Sequence, residues 1–385
     1  MVIFMVPNKE ILINKAMQAT GLSDFGDEWF FPNIDVFIKS LNTQARLSSE
    51  GYFGAEQMII GALINRLRHK NLIKMHPQIL NEKVDVKGVL TGLPRTGSTM
   101  LHRMLASAPE LTAVKWFEAQ NYTPLEKEEY NNPSQRKDLA KVMLSFMLEK
   151  IPHLMSIHPM DIEQADEEVI ILGQLFSSSM LESTYFVPDY ANWLTNQNPD
   201  KSYSDLIEIL QSLQWQDPSR KNKSWILKTP GHLMSLATVV KYFPKAKLIM
   251  THRDPCSTVP SYCSMESALY KINTNNISDL DIGNYWLNRL SYWLDNFIKI
   301  RNSFPEDRFV DINYLDLVQT PQKIGTEVLK SIGIKDDYFT KEMMKNWINS
   351  NKRENRQKHN YKLSDYGLTD ETISNKFKHY IKTYL

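Results

Sequence analysis

Three short segments carry most of the side chains that could do chemistry. The first, GLPRTGSTMLHRML at residues 92–105, places Gly92, Gly97 and Thr99 in the pattern of a phosphate-binding G-x-x-x-x-G-K-[ST] loop. Ser98 stands where that loop has lysine. The physics of anion binding survives the change. Backbone N–H groups from Gly97 to Thr99 would open a helix whose N-terminus is partially positive. Arg95 adds a full charge and a planar fork of donors. Without the lysine, and with no acid ending a strand, Mg–nucleotide chemistry is poorly provided for. In the second segment, WILKTPGHL (225–233), Lys228 ends an apolar run, Thr229 reads as an N-cap and Pro230 as the first helical residue, which puts His232 at a helix start. The third, LIMTHRDPCSTVPSY (248–262), repeats the design with Arg253, Asp254 and Pro255. Ser261 follows Arg253 by eight residues, just over two helical turns, and would share a face with the helix entrance. Arg95, Lys228 with His232, and Arg253 would then surround one crevice.

Other polar groups carry two readings each. DIEQADEEV (161–169) reads as an acidic helix start, with Glu163 and Glu167 on one helical face. Acids favour a helix N-terminus, so the solvated reading is preferred. The functional reading places Asp166 or Glu167 at an acceptor, as a second base or as partner to a cationic substrate. Lys352, Arg353, Arg356 and Lys358 form a basic run before Tyr361, either solvated or lying over a bound anion. His153 and His158 read as packing or solvent-facing groups, Cys256 and Cys263 as free thiols, and no metal is expected. The aromatic segment 183–194 reads as core before it reads as pocket lining.

The elements that must position these groups alternate. Segments 84–92, 225–228, 246–252 and 308–314 have strand character, and amphipathic stretches such as 137–151 and 284–301 lie between them. This is the pattern of an α/β fold, a central mostly parallel sheet flanked by helices, with ligands outside the carboxyl ends of the strands. Residues 1–83 read as a helical N-terminal extension, with Gly21 as a C-cap, packed on an α/β domain of residues 84–385 to make one globular unit. At 42% hydrophobic residues the chain can bury a large core, and 45 Lys and Arg against 44 Asp and Glu give no support to a nucleic-acid-binding surface. The longest uncharged apolar run, residues 169–181, is too short to span a bilayer, so no membrane association is expected. The first ten residues lack the form of a signal peptide, and two cysteines without a disulfide framework fit a cytoplasmic protein. Nothing in the sequence indicates oligomeric state.

Taken together, the segments resemble a known family. PRTGST is similar to the 5′-phosphosulfate loop of sulfotransferases that use 3′-phosphoadenosine-5′-phosphosulfate (PAPS), and THRDPCSTVPS to their 3′-phosphate segment. LKTPGHL resembles the Lys/His strand end that carries the general base, and KHNYKLSDYGL (358–368) a closing motif of the bacterial-type branch. The resemblance implies a P-loop-like sulfotransferase fold and sulfuryl transfer from PAPS to a hydroxyl or nitrogen of a small-molecule acceptor. It further implies that Arg95, Thr96, Gly97, Ser98 and Thr99 hold the 5′-phosphosulfate, with Met100 near the adenine. Arg253 and Ser261 would bind the 3′-phosphate, and Lys358 and Tyr361 would belong to a flap over the nucleotide. Lys228 would stabilise the bridging oxygen and His232 would be the base. Cytosolic animal members have lysine where Arg95 stands and tryptophan where Met100 stands; their Lys and His have one residue between them, against three here. The competing readings are a P-loop-like kinase, which would require magnesium, and a nucleotide-binding protein without turnover.

Overall fold

The computed structural model describes residues 5–274, 276–351 and 361–385. Five strands, β1 (Val86–Gly92), β2 (Leu111–Thr112), β3 (Ser224–Lys228), β4 (Lys247–His252) and β5 (Phe309–Asn313), form one sheet in the order β2-β3-β1-β4-β5. Every neighbouring pair is parallel. The three central strands are apolar without alternation; Val89, Leu90, Trp225, Ile226, Leu227 and Ile249 are wholly buried, as a sheet covered on both faces requires. Four strands fall where the sequence places them. The fifth, β2, has two residues, too few to show any periodicity.

The strand order explains where a ligand can bind. From β1 the chain runs to one side through β2 and β3, then crosses back to the other side for β4 and β5. The reversal leaves a crevice above the carboxyl ends of β1 and β4, the usual ligand position in such sheets. Gly92 pairs with Thr251, so the loop after β1 emerges beside the strand that delivers Arg253.

The N-terminal residues form helices α1 (Lys9–Thr20), α2 (Phe31–Thr43) and α3 (Ser49–Met75), with Gly21 closing α1 in the left-handed conformation. Phe37, Leu41, Ile59 and Leu63 share a core with Phe176, Tyr185 and Tyr190. The 183–194 segment is therefore core at Tyr185, Val187, Tyr190 and Ala191. Polar contacts add to the join: Arg66 reaches Asp205 at 2.6 Å, and Asn65 donates to Gln174 at 2.7 Å. Among the described residues no helix is long and apolar enough to cross a membrane.

Candidate active site

The loop after β1 is held in a shape that only part of its sequence dictates. Gly92 (φ 136°) and Gly97 (φ 86°) occupy conformations that side-chained residues avoid, and a Cβ on Gly92 would lie 2.7 Å from the Thr251 carbonyl oxygen. Arg95 also has positive φ (71°), a strained setting for a non-glycine residue at an anion loop. The Thr96 hydroxyl is buried and donates to Leu93 O at 2.7 Å, with Thr251 Oγ1 2.6 Å away. Its side chain ties the loop to β4 and leaves only its amide for a ligand. Gly97 caps α4 (Ser98–Ala106) without a side-chain hydrogen bond, so the first-turn amides of Ser98, Thr99 and Met100 open toward the crevice.

Two segments 158 residues apart meet at this loop. Arg95 Nε donates to Ser261 Oγ at 3.2 Å, and Arg253 Nη1 donates to the Arg95 carbonyl at 2.7 Å. The Arg253 guanidinium lies over the Tyr314 ring, 4.1 Å from its centroid. Asp254 caps the Pro255–Asn273 helix as its sequence implies, accepting from Cys256 N. Ser261, two turns along, consequently faces the loop.

The end of β3 supplies the third group. Lys228, nearly inaccessible, donates from Nζ to Thr99 Oγ1 at 2.9 Å and forms an ion pair with Glu167. Its own amide donates to Glu168 Oε2 at 3.0 Å. Thr229 caps the short turn Pro230–Leu233. His232, inside that turn, is wholly buried: its Nε2 lies 2.6 Å from Glu168 Oε1 and its Nδ1 2.7 Å from Tyr203 Oη. Both ring nitrogens are thus engaged away from the crevice. Burial raises the Glu168 carboxyl, but the His232 hydrogen bond and charge and the Lys228 amide outweigh it and leave the group below its ordinary value. Behind Thr229 and Gly231 lies a cavity of about 50 Å³ that Tyr203, Ser178, Ser179, Thr195 and Ser235 help to line, enough for ordered water.

The acidic segment departs from its expected form. Its helix begins only at Val169, and Lys115 pairs with Ala165 in an antiparallel bridge, so Glu163 and Glu167 do not share a helical face. Arg103 is the physical reason, donating to Ala165 O (2.9 Å), Pro159 O (3.0 Å) and Asp166 Oδ2 (3.0 Å) and holding the backbone extended. Nor is the segment a solvated N-terminus. Glu163 does face outward, to Lys137, but Asp166 and Glu168 are buried. Asp166 also accepts the Glu167 amide at 2.8 Å, which aims Glu167 at Lys228.

Of the remaining residues singled out in the sequence, Met100 sits half-buried in the first turn of α4, and Tyr361 Oη reaches Ser257 O at 3.4 Å, near the start of the Arg253 helix. Lys352, Arg353, Arg356 and Lys358 lie outside the described residues. Cys263 is buried and Cys256 partly so, both as free thiols. Among the described residues no cluster of three or more His, Cys, Asp or Glu could hold a metal ion. Further residues that the sequence does not single out belong to the site, Glu168 among them. Tyr314 follows β5 and could have been found by the strand-end rule; Tyr203 carries no local signal. His158 shares the electrostatic surroundings of Glu167, Lys228, Arg103 and Arg95.

A parallel sheet with a lysine-less phosphate loop at its switch point, flanked by cationic strand ends, defines a P-loop-like anion-binding class. The model of the sulfotransferase family matches residues 89–338, and the chain belongs to that family. The omega-hydroxy-beta-dihydromenaquinone-9 sulfotransferases Stf3 of Mycobacterium bovis and Mycobacterium tuberculosis are 27% identical over 126 residues, 30% of this chain and 30% of the length of each relative. The crystal structure of sulfotransferase STF1 from Mycobacterium tuberculosis H37Rv superposes with a TM-score of 0.85 at 25% identity, covering 98% of this chain and 100% of that one. Sulfotransferase STF9 from Mycobacterium avium has the same fold, with a TM-score of 0.87 at 23% identity over 98% of this chain and 96% of its own.

Proposed function

We propose that this protein transfers a sulfuryl group from PAPS to a hydroxyl or nitrogen of a small-molecule acceptor, with Glu167 receiving the acceptor proton. The observation that carries the reading is the hydrogen bond between Arg95 and Ser261, which joins the two phosphate segments beside the Lys228–Glu167 pair. Arg95 and Arg253 meet at the loop, and Lys228, bonded to the loop through Thr99, pairs with the partly exposed Glu167 carboxylate. That surplus of positive charge, with the open amides of α4, suits a donor carrying a phosphosulfate at one end and a 3′-phosphate at the other.

When bound, PAPS supplies an activated S–O bond with a phosphate oxygen as leaving group. The amides from Gly97 to Thr99 and the Arg95 guanidinium hold the 5′-phosphosulfate oxygens, while Arg253 and Ser261 hold the 3′-phosphate. Tyr314, beneath Arg253, fixes the plane of its guanidinium. Lys228, braced by Thr99, offers its ammonium to the bridging oxygen, where preorganised charge is most effective. In doing so it releases Glu167, whose carboxylate is then free to take the acceptor proton. We place the base at Glu167 because it is the carboxylate in contact with Lys228, whereas His232 is bonded on both nitrogens. His232, Glu168 and Tyr203 together fix the Lys228 backbone, so their role is positioning.

The Stf3 relatives are named for a hydroxylated menaquinone acceptor, which favours a hydroxyl acceptor here. No metal takes part in this mechanism, and the chain is expected to act in the cytoplasm. The test is incubation with ³⁵S-labelled PAPS and a panel of hydroxylated and amine acceptors. Labelled product formed without added magnesium supports the reading. Transfer of the γ-phosphate of Mg–ATP instead, with none from PAPS, would assign the chain to the kinases.

A further inference from the structure

His158 has no part in the mechanism above, yet the fold ties its segment to the segment of Glu167. It ends the short helix Leu154–Ile157, its amide donating to Leu154 O at 2.7 Å. Arg103 then folds two stretches of chain together. One guanidinium binds Pro159 O and Asp166 Oδ2, each at 3.0 Å, and Asp166 Oδ1 accepts the amide of Glu167. Residues next to His158 and next to Glu167 are therefore gripped by the same side chain. His158, partly exposed as a residue, experiences the charges of Glu167, Lys228, Arg103 and Arg95; in the reading above Arg95 and Lys228 act on the donor and Glu167 on the acceptor. Burial first, and the cations with it, lower its pKa to about 3 against the opposing pull of Glu167. The ring is therefore neutral at working pH. A neutral imidazole has one N–H to donate, and it adds direction to a pocket that already has ample positive charge.

We infer that His158 is a further donor-binding residue whose imidazole N–H hydrogen-bonds an oxygen of the transferring sulfonate, beside Lys228. The inference rests on the PAPS reading and adds a contact that the product nucleotide, 3′-phosphoadenosine-5′-phosphate (PAP), cannot make, because PAP has no sulfonate. His158 thus helps the site to distinguish loaded donor from spent donor.

The experiment is calorimetric titration of PAPS and of PAP, without acceptor, into the wild type, His158→Ala and His158→Asn. His158→Ala should weaken PAPS roughly tenfold, as loss of a hydrogen bond to a charged group does, while PAP affinity changes less than about twofold. Asparagine, which keeps an N–H, should restore part of the loss. Equal weakening of both nucleotides, or no weakening, overturns the inference. A second measurement needs no variant: diethyl pyrocarbonate should modify His158 in the wild type, and PAPS should shield it more strongly than PAP. A His158 that is never modified, or is shielded equally by both, also overturns it. Failure of the wild type to bind either nucleotide would instead remove the PAPS reading, and this inference with it.

Discussion

Lys228 and Glu167 form an ion pair, and in the proposed mechanism an anion competing for the lysine frees the carboxylate, which links donor binding to the appearance of a base. Replacing Glu167 by Gln keeps the shape of the side chain and removes the proton acceptor. Turnover should fall roughly 10²- to 10⁴-fold, the usual worth of general base catalysis, with PAP affinity within about twofold of wild type. Steady-state rates beside calorimetry decide it; wild-type turnover would remove Glu167 from the chemistry. Arg253→Ala should act on binding, weakening PAP by about 10- to 100-fold while leaving AMP little changed, because only PAP carries the 3′-phosphate. A uniform loss for both nucleotides would place Arg253 elsewhere. Arg95, Lys228 and Arg253 could be read from sequence because each follows a strand and precedes a turn or helix start. The five neighbouring acids narrowed in sequence only to Asp166 or Glu167, since the partner of Glu167 lies 61 residues away. The engagement of both His232 nitrogens is equally non-local, depending on Tyr203 and Glu168.

The strand ends hold these residues by backbone geometry as much as by side chains. Gly92→Ala would force a Cβ to 2.7 Å from Thr251 O at a φ of 136°, at a cost of about 1–3 kcal/mol. Thermal denaturation should show a lower midpoint for this variant, and an unchanged midpoint would mean that the loop adapts freely. His232→Ala should leave Glu168 and Tyr203 unpaired in a closed interior and destabilise the protein by about 2–4 kcal/mol. Denaturant unfolding measures it, and a variant as stable as wild type would contradict the positioning role. Caps were legible at this scale: Gly21, Thr229 and Asp254 all act locally. The 161–168 segment was not, because tertiary bonds from Arg103 override its acidic helix-start pattern.

The N-terminal helices join the α/β layers through a shared core and a charged seam on α3. Burial raises the Glu208 carboxyl, but the His69 hydrogen bond and charge, with Lys70 beside them, bring it down from 4.5 to about 2. A carboxylate depressed in the folded state contributes stability above its unfolded pKa and loses it as pH falls through the folded value. The seam should therefore weaken between about pH 4.5 and 2. Glu208→Gln should cost up to about 3 kcal/mol at neutral pH and flatten the pH dependence in that window. Urea unfolding across the range checks both, and an undiminished slope would remove Glu208 as the cause. The α/β class was legible because each strand is a short apolar run closed by a turn residue, whereas the net charge of +1 concealed the local excess of cations at the crevice. The central claim, that this crevice is built for a 3′-phosphorylated donor, is tested most directly by thermal melting with PAP, with AMP and with Mg–ATP. Ligand at a hundred times its dissociation constant adds about 2.7 kcal/mol, a shift of a few degrees. The account predicts that PAP raises the melting temperature and that AMP and Mg–ATP do not. A rise with Mg–ATP alone would contradict it.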